Sequence, residues 1–208
     1  MSAKILMSKL INQLIHSLTV LPGVGKKTAA RMAYYLLEKE KHKGLNLSET
    51  LKTCIESIDH CRVCHNLTEL PICELCSNTT RDPSTLCIVE SPSDLISIEQ
   101  TRFFKGYYFV LMGRLSPLDN ITPKTLPIDL LLKRCQDSSI NEIIIATNPT
   151  IEGEATAQYL IDLLKQNPQL KLSRLAHGIP MGGEIEYLDT QTIARAMELR
   201  TQFEEELI

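Results

Sequence analysis

The 208-residue chain has no run of 18 apolar residues, which excludes a membrane-spanning helix of ordinary length. Its first 25 residues are broken by Lys9, Asn12, Gln13 and His16, and their apolar positions recur at helical spacing. No secretory signal is expected there, and the chain is read as cytoplasmic. No Gly-Lys-Ser/Thr follows the glycine-rich stretch 178–183, so an ATP-binding phosphate loop is not expected. That stretch reads as a turn ahead of residues 184–188, with His177 beside it as a structural or exposed histidine.

Net charge is also small, at −3, but it is unevenly spread. Residues 1–81 carry 11 Lys/Arg against 7 Asp/Glu, and residues 82–208 carry 11 against 18. The first 43 residues alone hold 8 against 2. A polyanion would therefore meet the N-terminal part; solvated helix faces are the plainer alternative.

Leu6, Leu10, Ile11, Leu14, Ile15 and Leu18 form one apolar stripe at helical spacing. Leu21-Pro22-Gly23-Val24-Gly25 breaks it, and a second helix is expected over 26–38, with Ala29, Ala30, Ala33, Tyr34 and Leu37 on a small-residue face. A third helix is expected over 50–58. Helix, glycine turn and helix make a helix-hairpin-helix, in which Gly23 and Gly25 permit a tight turn and expose amides at the start of the second helix. Such amides hold a DNA phosphate without reading a base, and Lys26, Lys27 and Arg31 add charge. An ordinary αα-turn with exposed lysines is the alternative.

Seven cysteines are present, four of them in Cys61-x-x-Cys64 and, eight residues on, Cys73-x-x-Cys76. Two such knuckles complete a tetrahedral shell of four thiolates around one Zn²⁺, with no open position, so the metal is expected to be structural. Redox chemistry at a lone CxxC would need a thioredoxin-like context that does not surround these residues. His60 and His65 flank the ligands and could bind metal, yet four thiolates suffice. Cys54, Cys87 and Cys135 read as small core residues. A segment this short gains its folding energy from the metal.

From residue 82 the pattern alternates. Leu86-Cys87-Ile88-Val89, residues 107–111, Ile143-Ile144-Ile145-Ala146 and residues 170–175 read as strands. Residues 91–103, with Ser91 or Ser93 as cap, 128–135 and 153–165 read as helices. A mostly parallel sheet covered on both faces follows, with binding groups beyond the strand C-termini. Glu90 and Thr147-Asn148-Pro149-Thr150 stand at two such ends. The last helix, over 190–207, carries Ile193, Met197 and Phe203 and an acidic Glu204-Glu205-Glu206 end. That end opposes its own dipole unless a neighbouring subunit offsets it.

This α/β pattern resembles the Toprim fold, whose enzymes hold Mg²⁺ with a Glu after the first strand and an Asp-x-Asp after a later one. Here Glu90 stands at the Glu position, but Asn148-Pro149-Thr150 replaces Asp-x-Asp, so catalytic metal binding is expected to be weak or absent. More broadly, LPGVGKKTAARMAYYLL, CRVC with CELC, LCIVESPSDLISIEQT, RLSPLDNITP, EIIIATNPTIEGEATAQYL and RLAHGIPMGGEIEYLDTQTIARAMELR resemble the successive motifs of the RecR family.

The resemblance implies a helix-hairpin-helix domain over 1–55, a zinc finger with four cysteine ligands over 56–80, a Toprim domain over 81–175 and a C-terminal oligomerisation segment over 176–208. It implies no enzymatic activity, a ring-shaped homo-tetramer (a dimer is the alternative), and RecO and RecF as partners in helping RecA load onto gapped single-stranded DNA. Lys26, Lys27 and Arg31 would face DNA, and Glu90 and Asp94 would lie on a partner-binding surface, the plainer role of these two acids being a helix-start charge or cap. The family usually has Gly-Gly where Met112-Gly113 stands and a DGIGP-like loop where Asp119-Asn120-Ile121-Thr122-Pro123 stands, which is expected to alter loop geometry. The rival function is a Toprim-type metal-dependent nuclease or primase-like enzyme using Glu90 with Glu152 or Glu154.

Overall fold

The computed structural model describes residues 8–176 and 178–200. Leu6, His177, Phe203 and the Glu204-Glu205-Glu206 run lie outside the described residues. The chain divides into two units, Met1–Ile58 and Asp59–Ile208.

In the first unit α1 (Lys9–Leu18), α2 (Lys26–Glu38) and α3 (Lys41–Ser57) follow one another, with α2 in contact with both neighbours. Ala29 and Ala33, one turn apart on α2, are fully buried, because methyl side chains let helices approach closely. The small-residue face is narrower than its sequence pattern suggests, since Tyr34 and Leu37 are exposed. The third helix starts nine residues earlier than expected. It runs through Gly44, whose N–H donates to the Glu40 carbonyl and whose Cα lies beside the Leu36 side chain. Gly44 is the one residue of α3 that is not exposed, and the helix runs on despite the poor helix propensity of Gly44, Asn46 and Ser48.

The second unit is built on a four-stranded, wholly parallel sheet of order β4-β3-β5-β6. β3 is Asp82–Val89, β4 Gly106–Val110, β5 Glu142–Ala146 and β6 Lys171–Arg174. The pleat sends alternate residues to opposite faces, and both faces are covered. Leu86, Ile88, Phe109, Ile143 and Ile145 pack with Leu131 of α6 (Ile128–Arg134) and with Ala157, Leu160 and Leu164 of α7 (Ile151–Leu164). Cys87, Val89, Tyr108, Val110 and Ala146 pack with Leu95 of α5 (Pro92–Gln100). Full burial of each large aliphatic side chain contributes about 1.5–3 kcal/mol.

A short ribbon precedes this sheet: β1 (Asp59–His60) pairs antiparallel with β2 (Leu67–Thr68), and α4 (Glu74–Ser77) closes it. The ribbon lies along the outer edge of β4, where the Val110 N–H donates to the Cys64 carbonyl at 2.8 Å. After β6 come a single 3-10 turn and α8 (Thr190–Glu198), capped by Asp189. Among the described residues no helix is long and apolar enough to cross a membrane.

Candidate metal centre, carboxylate site and nucleic-acid interface

The two CxxC knuckles bring Cys61, Cys64, Cys73 and Cys76 together, each first cysteine leading into a tight turn. The His65 N–H donates to the Cys61 carbonyl at 2.9 Å and the Ser77 N–H to the Cys73 carbonyl at 3.0 Å. All four sulfurs lie within 4.8 Å of one another, and the Sγ atoms of Cys64 and Cys73 are 3.5 Å apart. A tetrahedral zinc with Zn–S bonds of about 2.3 Å sets its sulfurs about 3.8 Å apart, so the residues fit this ion. Thiols this crowded resist ionising together. The hydrogen bond with Cys73 pushes the Cys64 thiol up, and that with Cys64 pushes Cys76 up, while hydrogen bonds from Cys64 and Cys76 pull Cys73 down. A divalent cation removes that conflict, because a coordinated thiol is deprotonated outright.

His60 and His65 are not in the ligand set. Their rings stack at 4.2 Å, and His65 Nδ1 lies 3.3 Å from the Val110 carbonyl. Cys87 and Cys135 are core residues as expected, and burial pushes their thiols up to about 12 and about 11. Cys54 is not: it lies exposed on α3, because this helix has no buried face among the described residues.

At the C-terminal end of β3 stands Glu90, only 3% exposed. One of its oxygens accepts the Asn148 backbone N–H at 2.8 Å, and the other accepts the Asn148 carboxamide Nδ2–H at 3.0 Å and faces the Arg114 guanidinium at 3.6 Å. A buried carboxylate needs such donors or a cation. Here Asn148, just beyond β5, and Arg114, beyond β4, supply them. Gly153 makes the approach possible, since a Cβ on it would lie 2.0 Å from the Asn148 carbonyl and 2.8 Å from a Glu90 oxygen.

Thr150, Glu154 and Asp94 nearby have other engagements. Thr150 caps α7 by accepting the Gly153 N–H at 3.1 Å. Glu154 holds Arg174 through two bonds of 2.8 and 2.9 Å. Asp94 forms a capping box with Ser91, which identifies Ser91 and not Ser93 as the cap. Among the described residues only the four cysteines make a cluster of metal-ligating groups.

Arg114 has no role in the sequence reading. It lies 24 positions from Glu90, and only the return of the chain past β4 joins them. Met112 has φ +57 and Asn120 φ +56, the left-handed region that glycine adopts readily.

At the hairpin, Gly23 takes φ +76 and the Val24 N–H closes the turn on the Leu21 carbonyl. Gly25 is the N-cap of α2, and no side chain caps the first amides of that helix. Lys26, Lys27 and Arg31 are exposed.

Four family models match the chain in succession. They are the RecR helix-hairpin-helix at residues 11–55, the RecR zinc finger domain of the four-cysteine type at 58–78, the Toprim domain at 84–176 and the RecR C-terminal region at 178–201. Among curated proteins, the Recombination protein RecR of Saccharophagus degradans is 52% identical over 195 residues, covering 94% of this chain and 98% of that protein. Those of Xanthomonas oryzae and Xanthomonas campestris are 48% and 47% identical over 196 residues, covering 94% of this chain and 99% of theirs.

Proposed function

The chain belongs to the RecR family of recombination proteins, and from that premise we propose that it is a non-catalytic DNA-binding mediator. It works with RecO and RecF to help RecA load onto gapped single-stranded DNA. In this reading residues 1–55 grip the sugar-phosphate chain through the amides after Gly23 and Gly25 and through Lys26, Lys27 and Arg31. Residues 56–80 form the zinc finger, 81–175 the Toprim body, and 176–208 join subunits into a homo-tetrameric ring. Asp94 and Glu90 belong to the partner-binding surface, Glu90, only 3% exposed, contributing to it through Arg114 and not by direct contact.

The observation that carries the absence of catalysis is the Asn148 carboxamide on Glu90. Magnesium chemistry on phosphates needs several carboxylates around the ion. Here a neutral amide and a guanidinium occupy the carboxylate that would begin the shell. Purified protein incubated with labelled gapped DNA and Mn²⁺ is expected to leave the DNA intact. Cleavage that Glu90→Gln abolishes would establish the nuclease reading instead. In a gel shift at low salt, Lys26→Glu with Arg31→Glu is expected to weaken binding at least about tenfold on every DNA sequence alike, because phosphates carry no sequence information.

A further inference from the structure

Phe103 is 90% exposed, more than any other aromatic side chain among the described residues. The loop that carries it is firmly held. Phe104 beneath it packs edge-on against Tyr108 with ring centroids 5.0 Å apart, and Gly106 sits so close to β3 that a Cβ would lie 2.0 Å from Thr85 Oγ1. The Phe103 N–H donates to Thr101 Oγ1, whose own hydroxyl donates to the Ile98 carbonyl.

Exposed Arg102 and Lys105 flank the ring, and residues 101–106 contain no acid, within a stretch of chain that is otherwise acidic. The adjacent carboxylates are engaged: Glu99 by Arg81 and the Tyr108 hydroxyl, and Asp82 by Ser84. Arg102 follows α5 at φ +58, a conformation for which glycine would serve the fold better. An exposed ring on a rigid loop between two cations has the chemistry of a base-stacking contact.

Resting on the reading that this chain binds DNA, we propose that the loop 101–105 is a second nucleic-acid contact that selects single strands. An unpaired base stacks on the Phe103 ring while Arg102 and Lys105 meet the phosphates on either side. Duplex DNA keeps its base faces covered and gains only the charge contact.

The absence of tryptophan from the chain supplies the test. Phe103→Trp places a single indole at the loop, and its emission is expected to be quenched as oligothymidine saturates the full-length protein. By fluorescence anisotropy, Phe103→Ala is expected to lower affinity for oligothymidine about 5- to 100-fold and leave duplex affinity unchanged. Arg102→Gly is expected to raise the melting temperature while lowering single-strand affinity.

An unquenched indole at saturation, or unchanged oligothymidine affinity of Phe103→Ala, overturns the proposal. So does a Phe103→Ala defect confined to binding another protein. The Lys26→Glu, Arg31→Glu protein separates the two readings. If it loses DNA while the Phe103 variants do not, the hairpin contact stands and the loop contact falls; if neither set loses DNA, both fall.

Discussion

Glu90 shows how one neutral side chain changes what a carboxylate does. The Asn148 carboxamide can donate to Glu90, whereas an aspartate in its place would bring a second negative charge to a group only 3% exposed. Asn148→Asp is therefore expected to destabilise the protein by about 2 kcal/mol or more in EDTA. Added Mn²⁺ should recover part of the loss, as read by thermal melts with and without the ion; a variant as stable as wild type in EDTA would contradict this account.

Much at this scale was open to sequence reasoning where partners are close along the chain. Cys61, Cys64, Cys73 and Cys76 span 16 residues, and their spacing alone indicates the zinc shell. Arg114 was not, because a guanidinium 24 residues from its carboxylate leaves no local pattern. Cys54 misled for a related reason: Leu51 and Ile55 stand near it in sequence, but they are exposed as it is.

At the level of elements, the zinc ribbon protects the sheet it precedes. β4 is an edge strand, and its Val110 N–H is taken by the Cys64 carbonyl while His65 lies against the Val110 carbonyl. One zinc per chain is expected by metal analysis of freshly prepared protein. Cys73→Ser is expected to abolish it and to unfold the ribbon. The uncovered edge should then drive self-association, visible as increased light scattering.

A second coupling is ionic. Arg81 and the Tyr108 hydroxyl both donate to Glu99, tying the start of β3 to α5 and β4, and the Arg81 contact holds the Glu99 carboxyl below its usual range. The stability it adds is present above the ordinary carboxylate pKa of about 4.3 and is lost as pH falls through the lower folded value. Glu99→Gln is thus expected to flatten the acid limb of a stability-versus-pH curve; an unchanged limb would show that the cluster contributes nothing there.

The strands were legible because burial on both faces demands continuous apolar runs such as Leu86-Cys87-Ile88-Val89, and the described sheet is built on them. The start of α3 was not, because Gly44, Asn46 and Ser48 argue against a helix there.

Across the whole molecule, interior is distributed as unevenly as charge. The second unit has two extensive cores, whereas the first has only Ala29 and Ala33 fully buried among its described residues. Leu10, Leu45, Leu47, Leu51 and Ile55 are all more than half exposed there. Leu14, Ile15, Leu18 and Leu36 are only partly buried, which leaves three helices a small core. In the homo-oligomer proposed above, association would supply the missing burial and make protein concentration a variable of the fold itself. Dilution is expected to melt helical signal from this region first, in a circular-dichroism transition whose midpoint moves with concentration while the sheet's does not.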